Sequence, residues 1–163
     1  DEGRTDKIGA SVYDGEQIDA LMDRYDMDLV QLPANIFDQR LFESGHVKKL
    51  AGKGIEIHVR SAFLQGVVFM APDTLPDNLS GLKTALSGFG DMARNSKDRA
   101  ELALAFLINQ PEINTVVCGV NTLVQFQDLL QITTAVPDID PTSLAALAVN
   151  DPMLVNPANW GTK

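Results

Sequence analysis

Four short apolar runs recur along the chain, each rich in β-branched residues and each ending in small or polar residues. The clearest run covers residues 55–60. The segment from Ser61 to Gly66 follows it directly. Runs of this length and composition predict strands that are buried in a parallel sheet. The four predicted strands cover residues 7–12, 28–32, 55–60 and 114–118.

Between these runs, apolar residues recur at three- and four-residue spacing, which predicts amphipathic helices. Asp14, with Gln17 three residues later, forms a capping-box pattern at the start of the first helix. Ser44 or Gly45 is predicted to open the second helix, and Ser96 to cap a later one. The remaining helices are predicted over residues 79–93, 122–134 and 142–149.

The repeated alternation of strand and helix indicates an α/β fold with a parallel sheet. Two architectures fit: a small doubly wound sheet, or half of a (β/α)₈ barrel, since a whole barrel needs on the order of 250 residues. No G-x-G-x-x-G turn follows the first strand, so a Rossmann-type dinucleotide site is unsupported. We predict one domain over residues 1–150, with an insertion at about residues 67–95, and a tail over residues 151–163.

The carboxyl end of the third predicted strand is where we expect a functional site. Ligands of parallel sheets and barrels bind just beyond the carboxyl ends of the strands. Arg60, Ser61 and Gln65 occupy that position. The alternative is a strand followed by an ordinary loop, and this stretch alone does not exclude it.

The amino-acid composition and the net charge indicate which classes of protein this chain fits. The 163 residues have a formal net charge of -9, with 45% hydrophobic and 21% charged residues, which is typical of a globular domain. The acidic balance disfavours nucleic acids and anionic membranes as partners. No apolar segment approaches the ~20 residues that span a bilayer. The single cysteine, Cys118, cannot form an internal disulfide, so we expect a cytoplasmic location, and we predict no metal site.

Several motifs resemble those of the aldo-keto reductase family, in that family's order and spacing. They are residues 8–13, residues 29–35 with Gln31, residues 60–66, residues 103–107, and residues 117–121 followed by Gln125 and Phe126. Together they cover about residues 7–135, and residues 156–160 are similar to the tail of bacterial members. The resemblance implies an α/β fold that is the second half of a (β/α)₈ TIM barrel, its strands five to eight, with parallel strands and outer helices.

The resemblance also implies a nicotinamide dinucleotide, NADP or NAD, as cofactor. Ser11 and Gln31 would hydrogen-bond the nicotinamide carboxamide, because polar groups fix a flat ring in one orientation. The other implied cofactor-binding residues are Arg60 at the nicotinamide ring, Ser61, Phe63 and Gln65 along the pyrophosphate, and Gly119, Asn121, Gln125 and Asp128 at the adenosine end.

The chain departs from the family pattern at several of these positions. Val12 replaces an asparagine that is often a carboxamide partner, and Arg60 replaces a stacking aromatic residue, although a guanidinium can also stack. The adenosine 2′-phosphate is commonly held by Lys or Arg, where this chain has Gly119 and Gln125. Asp128 would repel that phosphate if it sits close, so the choice between NAD and NADP stays open.

The family's catalytic Asp, Tyr, Lys and His come from strands two to four, and no residue of this chain matches those positions. We expect His58 to pack within its strand and His46 to begin a helix face in solvent. Without a tyrosine as general acid, the chain alone should not reduce carbonyls. We expect it to bind NAD(P)H weakly or not at all.

Three hypotheses remain. The first is the cofactor-binding, C-terminal half of an NAD(P)H-dependent aldo-keto reductase, a fragment whose partner is the missing N-terminal half-barrel. The second is a non-catalytic half-barrel module that dimerises with a second copy, because four strands would leave two open edges and an uncovered apolar face. The third is an unrelated doubly wound domain. The substrate is not indicated.

Overall fold

The computed structural model describes residues 3–161, and within them four parallel strands form one sheet. All four predicted strands are confirmed, although the first and last are shorter than predicted. The strands are β1 (Gly9–Ser11), β2 (Leu29–Pro33), β3 (Glu56–Arg60) and β4 (Thr115–Val116).

The spatial order of the strands is β1-β2-β3-β4, the same as their order in the sequence. A doubly wound sheet reverses its strand order at a switch point, whereas a (β/α) barrel keeps it. The observed order is therefore that of a barrel segment. The register aligns Ser11 with Gln31, Gln31 with His58, and His58 with Thr115, so these residues form one layer across the sheet.

The helices lie between the strands and after them, and the capping pattern of the first is confirmed. Asp14 accepts a 2.8 Å hydrogen bond from the Gln17 backbone N–H, while Gln17 Oε1 accepts one of 2.8 Å from the Tyr13 backbone. The helices are α1 (Gly15–Met22), α2 (Arg40–Glu43), α3 (His46–Gly52), α4 (Lys83–Met92), α5 (Ser96–Ile108), α6 (Leu123–Thr134) and α7 (Pro152–Val155).

Two local predictions about helices were wrong. Asn95, and not Ser96, caps α5, because its side chain accepts hydrogen bonds from the backbone N–H groups of Lys97 and Asp98. His46 does not face solvent: its Nδ1 lies 2.7 Å from Ser44 Oγ and its Nε2 lies 3.5 Å from Asp19 on α1. His46 therefore helps to hold α3 against α1.

The segment predicted as an insertion packs into the same core as the sheet. The helix predicted over residues 79–93 is shorter than expected, since a 3-10 helix (Asp77–Leu82) precedes the ten-residue α4. Leu82, Leu86 and Phe89 of this segment are fully buried. Arg99 of α5 donates hydrogen bonds to the Val68 and Met70 carbonyls, which ties the start of the segment to α5.

The two faces of the sheet differ in polarity. Val30, Leu32, Ile57 and Val59 are fully buried under the helices, while alternate residues, including Gln31, His58 and Arg60, are only half-buried on the other face. We expected the uncovered face to be apolar, and this was wrong because the alternation places polar side chains there.

A charged network occupies the amino-terminal part of that open face. Glu56 accepts hydrogen bonds from Lys7 Nζ and, at 2.8 Å, from His58 Nε2. The hydrogen bond from Lys7, followed by that from His58, lowers the pKa of the Glu56 carboxyl. His58 is thus held within the sheet, as predicted, although its partner is a carboxylate and not an apolar neighbour.

The tail folds back onto the 3-10 helix Asp77–Leu82. Trp160 Nε1 donates a 3.1 Å hydrogen bond to the Leu154 carbonyl. A Cβ added to Gly81 would lie 2.6 Å from a Leu154 methyl group, so Gly81 allows this close approach. Within residues 3–161, no helix combines the length and the apolar character needed to cross a bilayer.

Candidate functional site

Ser11 and Gln31 meet on the open face of the sheet, near its carboxyl edge. The two residues are in register on β1 and β2, and the Ser11 hydroxyl donates a 3.4 Å hydrogen bond to Gln31 Oε1. This contact fixes the Gln31 amide, and no acceptor for its NH₂ group occurs among the described residues. The pair therefore offers donors to a ligand that lies over the strand ends.

Arg60 lies at the end of β3 and reaches across to β1. Its Nη2 donates a 3.0 Å hydrogen bond to the Val12 carbonyl, and its guanidinium carbon lies 4.4 Å from the centroid of the Tyr13 ring. A cation in this position is attracted by the negative face of the ring. Arg60 forms no ion pair with a carboxylate of residues 3–161, and the charge of buried Asp38 interacts with it at longer range. Its other N–H groups are therefore candidates to donate to a ligand.

The loop after β3 has an unusual backbone that depends on a buried asparagine. Ser61, Leu64 and Gln65 have φ values of 63°, 43° and 53°, in the left-handed region. Asn35, which is fully buried, donates a 3.2 Å hydrogen bond from Nδ2 to the Ser61 carbonyl. Its Oδ1 accepts from two backbone N–H groups of the loop after β2. Asn35 thus joins two strand-end loops and fixes the position of Ser61.

The left-handed backbone of Ser61 leads to a testable expectation for stability. Such a conformation costs roughly 1–2 kcal/mol for a residue with a Cβ, and glycine avoids this cost. We expect Ser61→Gly to unfold at higher urea than Ser61→Ala, with a free energy of unfolding about 1 kcal/mol larger. Both variants lack the hydroxyl, so the comparison isolates the backbone. Equal stabilities would show that the loop relaxes out of this conformation.

A buried ion pair follows Asn35 at the end of the loop after β2. Arg40 donates from Nε and Nη2 to the two carboxylate oxygens of Asp38, at 2.7 and 2.9 Å. The Asp38 side chain is 1% exposed and that of Arg40 is 18% exposed. Burial raises the pKa of Asp38, and the hydrogen bonds from Arg40 oppose that rise. The pair joins the loop that contains Asn35 to the first residue of α2.

The residues predicted at the adenosine end lie apart from this cluster, around β4 and the start of α6. Gly119, Asn121, Gln125 and Asp128 are all exposed. Gln125 Oε1 accepts a 2.8 Å hydrogen bond from the Asn121 backbone, and Thr122 Oγ1 accepts one of 3.2 Å from the Gln125 backbone. Gln125 therefore takes part in capping α6.

The structure brings together part of the predicted set. Ser11, Gln31 and Arg60 lie on one face of adjacent strands, while Ser61, Phe63 and Gln65 follow on the loop after β3. The Phe63 ring packs against that of Phe69, with centroids 5.3 Å apart, and Gln65 is exposed. Four residues were missed as parts of this region, namely Tyr13, Asn35, Asp38 and Arg40. No group of three or more potential metal ligands occurs in the described part of the chain.

Comparisons with known proteins identify the family and agree with the strand order. The family model for the aldo/keto reductase family matches residues 1–147. The fold is similar to that of aldo-keto reductase AKR11C1 from Bacillus halodurans in its holo form, with a TM-score of 0.72, 20% identity, and coverage of 94% of this chain and 52% of that one. Its apo form gives a TM-score of 0.70 and 19% identity, and covers 93% and 53% of the two chains.

A solved structure of another aldo-keto reductase is also similar in fold. The comparison with curated proteins found no match. The thermostable aldo-keto reductase Tm1743, in complex with the inhibitor epalrestat, has a TM-score of 0.58 and 15% identity, with coverage of 86% of this chain and 47% of that one. The chain spans about half the length of these solved structures. Because the family model matches most of its residues, this chain belongs to the aldo/keto reductase family.

Proposed function

We propose that this chain is the cofactor-binding, C-terminal half of an NAD(P)H-dependent aldo-keto reductase, strands five to eight of its barrel. The observation that carries the proposal is the Ser11–Gln31 pair at the carboxyl edge of the sheet. Gln31 is fixed through its oxygen, so its NH₂ group is directed to an acceptor such as the carboxamide oxygen of a nicotinamide. The catalytic Asp, Tyr, Lys and His come from the other half, so the chain alone is inactive.

The other predicted cofactor-binding residues would contact successive parts of the dinucleotide, from the nicotinamide through the pyrophosphate to the adenosine. Arg60 lies next to the pair with one face of its guanidinium against Tyr13, and its other face would stack on the nicotinamide. Ser61, Phe63 and Gln65 follow on a loop whose shape is fixed by Asn35, where the pyrophosphate would lie. Gly119 and Asn121 follow β4, while Gln125 and Asp128 lie on α6, and the adenosine would lie beside these four residues. The acidic Asp128 favours NAD over NADP if it lies near the ribose.

A chimeric barrel tests the proposal. This chain is joined to the part of the Bacillus halodurans reductase that it does not match, and NADH and NADPH are titrated by fluorescence. We expect Gln31→Ala to weaken binding about tenfold, since loss of a hydrogen bond to a polar ligand costs about 1–1.5 kcal/mol. Gln131→Ala, at an exposed glutamine on α6, is the matched control. Equal affinity for the Gln31→Ala and unaltered chimeras would contradict the proposal.

A second candidate function follows from the two free edges of the sheet. In the described residues, β1 pairs only with β2, and β4 pairs only with β3. Two copies related by a two-fold axis along the barrel would pair β4 of each with β1 of the other. The result would be a non-catalytic, closed barrel that acts in binding or assembly. Concentration-dependent dimerisation of the chain by light scattering would favour this candidate.

A further inference from the structure

Ser44, His46 and Asp19 form a cluster where α3 packs against α1. Ser44 is exposed and directly follows α2, and its Oγ lies 2.7 Å from His46 Nδ1. On the other side of the ring, His46 Nε2 lies 3.5 Å from Asp19 Oδ1. A hydroxyl, an imidazole and a carboxylate are thus arranged in series. The same order of groups activates serine nucleophiles in acyl-transfer enzymes, on folds that are otherwise unrelated.

The His46 ring is held in a fixed position between the two helices. Its side chain is only 18% exposed. The ring packs against the backbone of Gly15 at the start of α1, where an added Cβ would clash with Cε1 of the ring. A larger residue at position 15 would displace the ring from Ser44 and Asp19. Gly15 therefore leaves the space that a positioned base requires.

The Asp19 carboxylate determines which nitrogen of the neutral ring carries the proton. It attracts the proton to Nε2, which leaves Nδ1 as the acceptor for the Ser44 hydroxyl. Lys49 Nζ donates a 2.7 Å hydrogen bond to Asp19 Oδ1. This hydrogen bond, opposed by desolvation and assisted by His46, lowers the pKa of the Asp19 carboxyl and keeps it ionised.

The two ring nitrogens have the reverse roles in the chymotrypsin type of triad, where Nε2 faces the serine. Base catalysis requires only that one nitrogen accepts the serine proton while the other is held by a carboxylate. The cluster meets this requirement with Nδ1 as the acceptor and Nε2 beside Asp19. The exchange of roles therefore leaves the chemistry available.

We propose that this cluster transfers acyl groups from small esters, with Ser44 as nucleophile, His46 as general base and Asp19 as positioning residue. The Ser44 oxygen attacks the ester carbonyl carbon while its proton passes to His46 Nδ1. That proton then passes to the departing alkoxide as the bond between alkoxide and carbonyl carbon breaks, which leaves acyl-Ser44. Water, deprotonated by His46, next attacks the acyl carbon, the carboxylic acid leaves, and the proton returns to Ser44.

The exposure of the cluster determines the class of substrate and the rate. Because Ser44 is exposed, an ester with a small acyl group reaches its hydroxyl without entering a cavity. The Asp19 side chain is 49% exposed, so water screens its interaction with the ring. We therefore expect slow turnover. None of the three residues belongs to the proposed cofactor site, so this inference does not rest on the proposed function.

A fluorophosphonate tests the nucleophile, because it reacts with activated serine hydroxyls and stays attached. The Ser44 oxygen forms a bond to phosphorus, fluoride leaves, and the serine proton passes to His46. The full chain is incubated with the probe at neutral pH and digested, and the labelled peptide is identified by mass spectrometry. We expect the label on Ser44 and its loss in Ser44→Ala. Ser80→Ala, at another exposed serine, is the matched control and should retain it.

Variants of the other two residues separate base catalysis from packing. His46→Gln should slow labelling about 100-fold, since a positioned general base contributes roughly 10²–10⁴-fold. Asp19→Asn keeps an oxygen near Nε2 but removes the charge that favours the reactive tautomer, and should slow labelling about tenfold. Labelling of the unaltered chain should decrease at acid pH, because an imidazolium cannot accept the serine proton. Urea unfolding shows that each variant retains its fold.

Hydrolysis of p-nitrophenyl acetate is the second measurement. We expect release of p-nitrophenolate to continue beyond one equivalent per chain and to be lost in Ser44→Ala. Release that Ser44→Ala leaves unchanged overturns the inference, because other surface groups then account for it. It is also overturned if the fluorophosphonate spreads evenly over the exposed serines, or labels Ser44 equally fast in a folded His46→Gln variant.

Discussion

Replacing Arg40 with glutamine is expected to lower the free energy of unfolding by about 3–5 kcal/mol at pH 7.5, because a buried carboxylate loses its charged partner. The Asp38 side chain is 1% exposed, and both of its oxygens accept hydrogen bonds from Arg40. Removal of the guanidinium leaves that charge in a site that it cannot leave without unfolding of the loop. Urea unfolding monitored by the fluorescence of Trp160 measures the change.

The same variant should show a specific dependence on pH. Burial raises the pKa of Asp38 above its unfolded value, while Arg40 lowers it, so Arg40→Gln raises it further. A raised carboxyl pKa means that the folded state holds the proton more strongly, so this contribution to stability is present at low pH and is lost as pH rises through the folded pKa. The cost of Arg40→Gln should therefore be small near pH 4 and should grow towards neutral pH.

Two further variants sharpen this prediction. Arg24→Gln, at an exposed arginine, should change stability by less than about 0.5 kcal/mol. The double variant Asp38→Leu with Arg40→Met removes both charges together and should cost much less than Arg40→Gln alone, as replacement of a whole buried pair often does. A cost for Arg40→Gln that is the same at pH 4.5 and pH 7.5 would show that Asp38 is not the group responsible.

The layout of the sheet was predictable because it depends on local pattern. The two inner strands, β2 and β3, carry the clearest apolar runs, and both were predicted to within one residue at each end. The edge strands were predicted to be longer than they are, β4 by three residues. An edge strand has a neighbour on one side only, and the sequence shows apolar character but not the number of neighbours.

The same strand sequences indicate that the open face is polar, but the sequence analysis missed this. Gln31, His58 and Arg60 interrupt apolar residues at a period of two, which is the signature of a sheet with one face covered. The strands were interpreted as buried on both faces because their overall composition is apolar. The alternation of polar and apolar residues would have predicted one covered, apolar face and one open, polar face.

The residues that hold the candidate site in place could not be predicted, because they act through contacts between segments that are distant in the sequence. Asn35 bonds to the Ser61 carbonyl, 26 residues away, and no local pattern indicates that contact. Asp38 and Arg40 gave a weak signal, since two opposite charges follow the apolar Ile36 and Phe37. Tyr13 was assigned no role from the sequence, yet its ring lies against the guanidinium of Arg60.

Phe89→Ala is the second change for which we expect a large effect, about 3–5 kcal/mol of lost stability. Phe89 lies on α4, within the segment predicted as an insertion, and is fully buried. Its ring meets that of Phe37 edge to face, with centroids 5.6 Å apart and an interplanar angle of 83°. Truncation removes this contact and leaves a cavity at the junction of α4 with the loop after β2.

The position of Phe37 explains why this effect should extend to the site. The Phe37 backbone donates to Asn35 Oδ1, and its carbonyl accepts a 2.8 Å hydrogen bond from the Val149 backbone. Phe37 therefore links α4, the C-terminal segment and the asparagine that positions Ser61. Hydrogen exchange of the amides of residues 61–66 should become faster in Phe89→Ala than in the unaltered chain, because local opening follows loss of packing.

A matched control and a double-mutant cycle isolate the aromatic contact. Met92 lies on the same helix but is 54% exposed, so Met92→Ala should change stability by less than about 0.5 kcal/mol. The coupling between Phe37→Ala and Phe89→Ala should be about 0.5–1.5 kcal/mol, as for other edge-to-face pairs. If Phe89→Ala costs no more than Met92→Ala, then α4 packs as a separate unit. In that case residues 67–95 would be an insertion that contributes little to the free energy of unfolding of the rest of the chain.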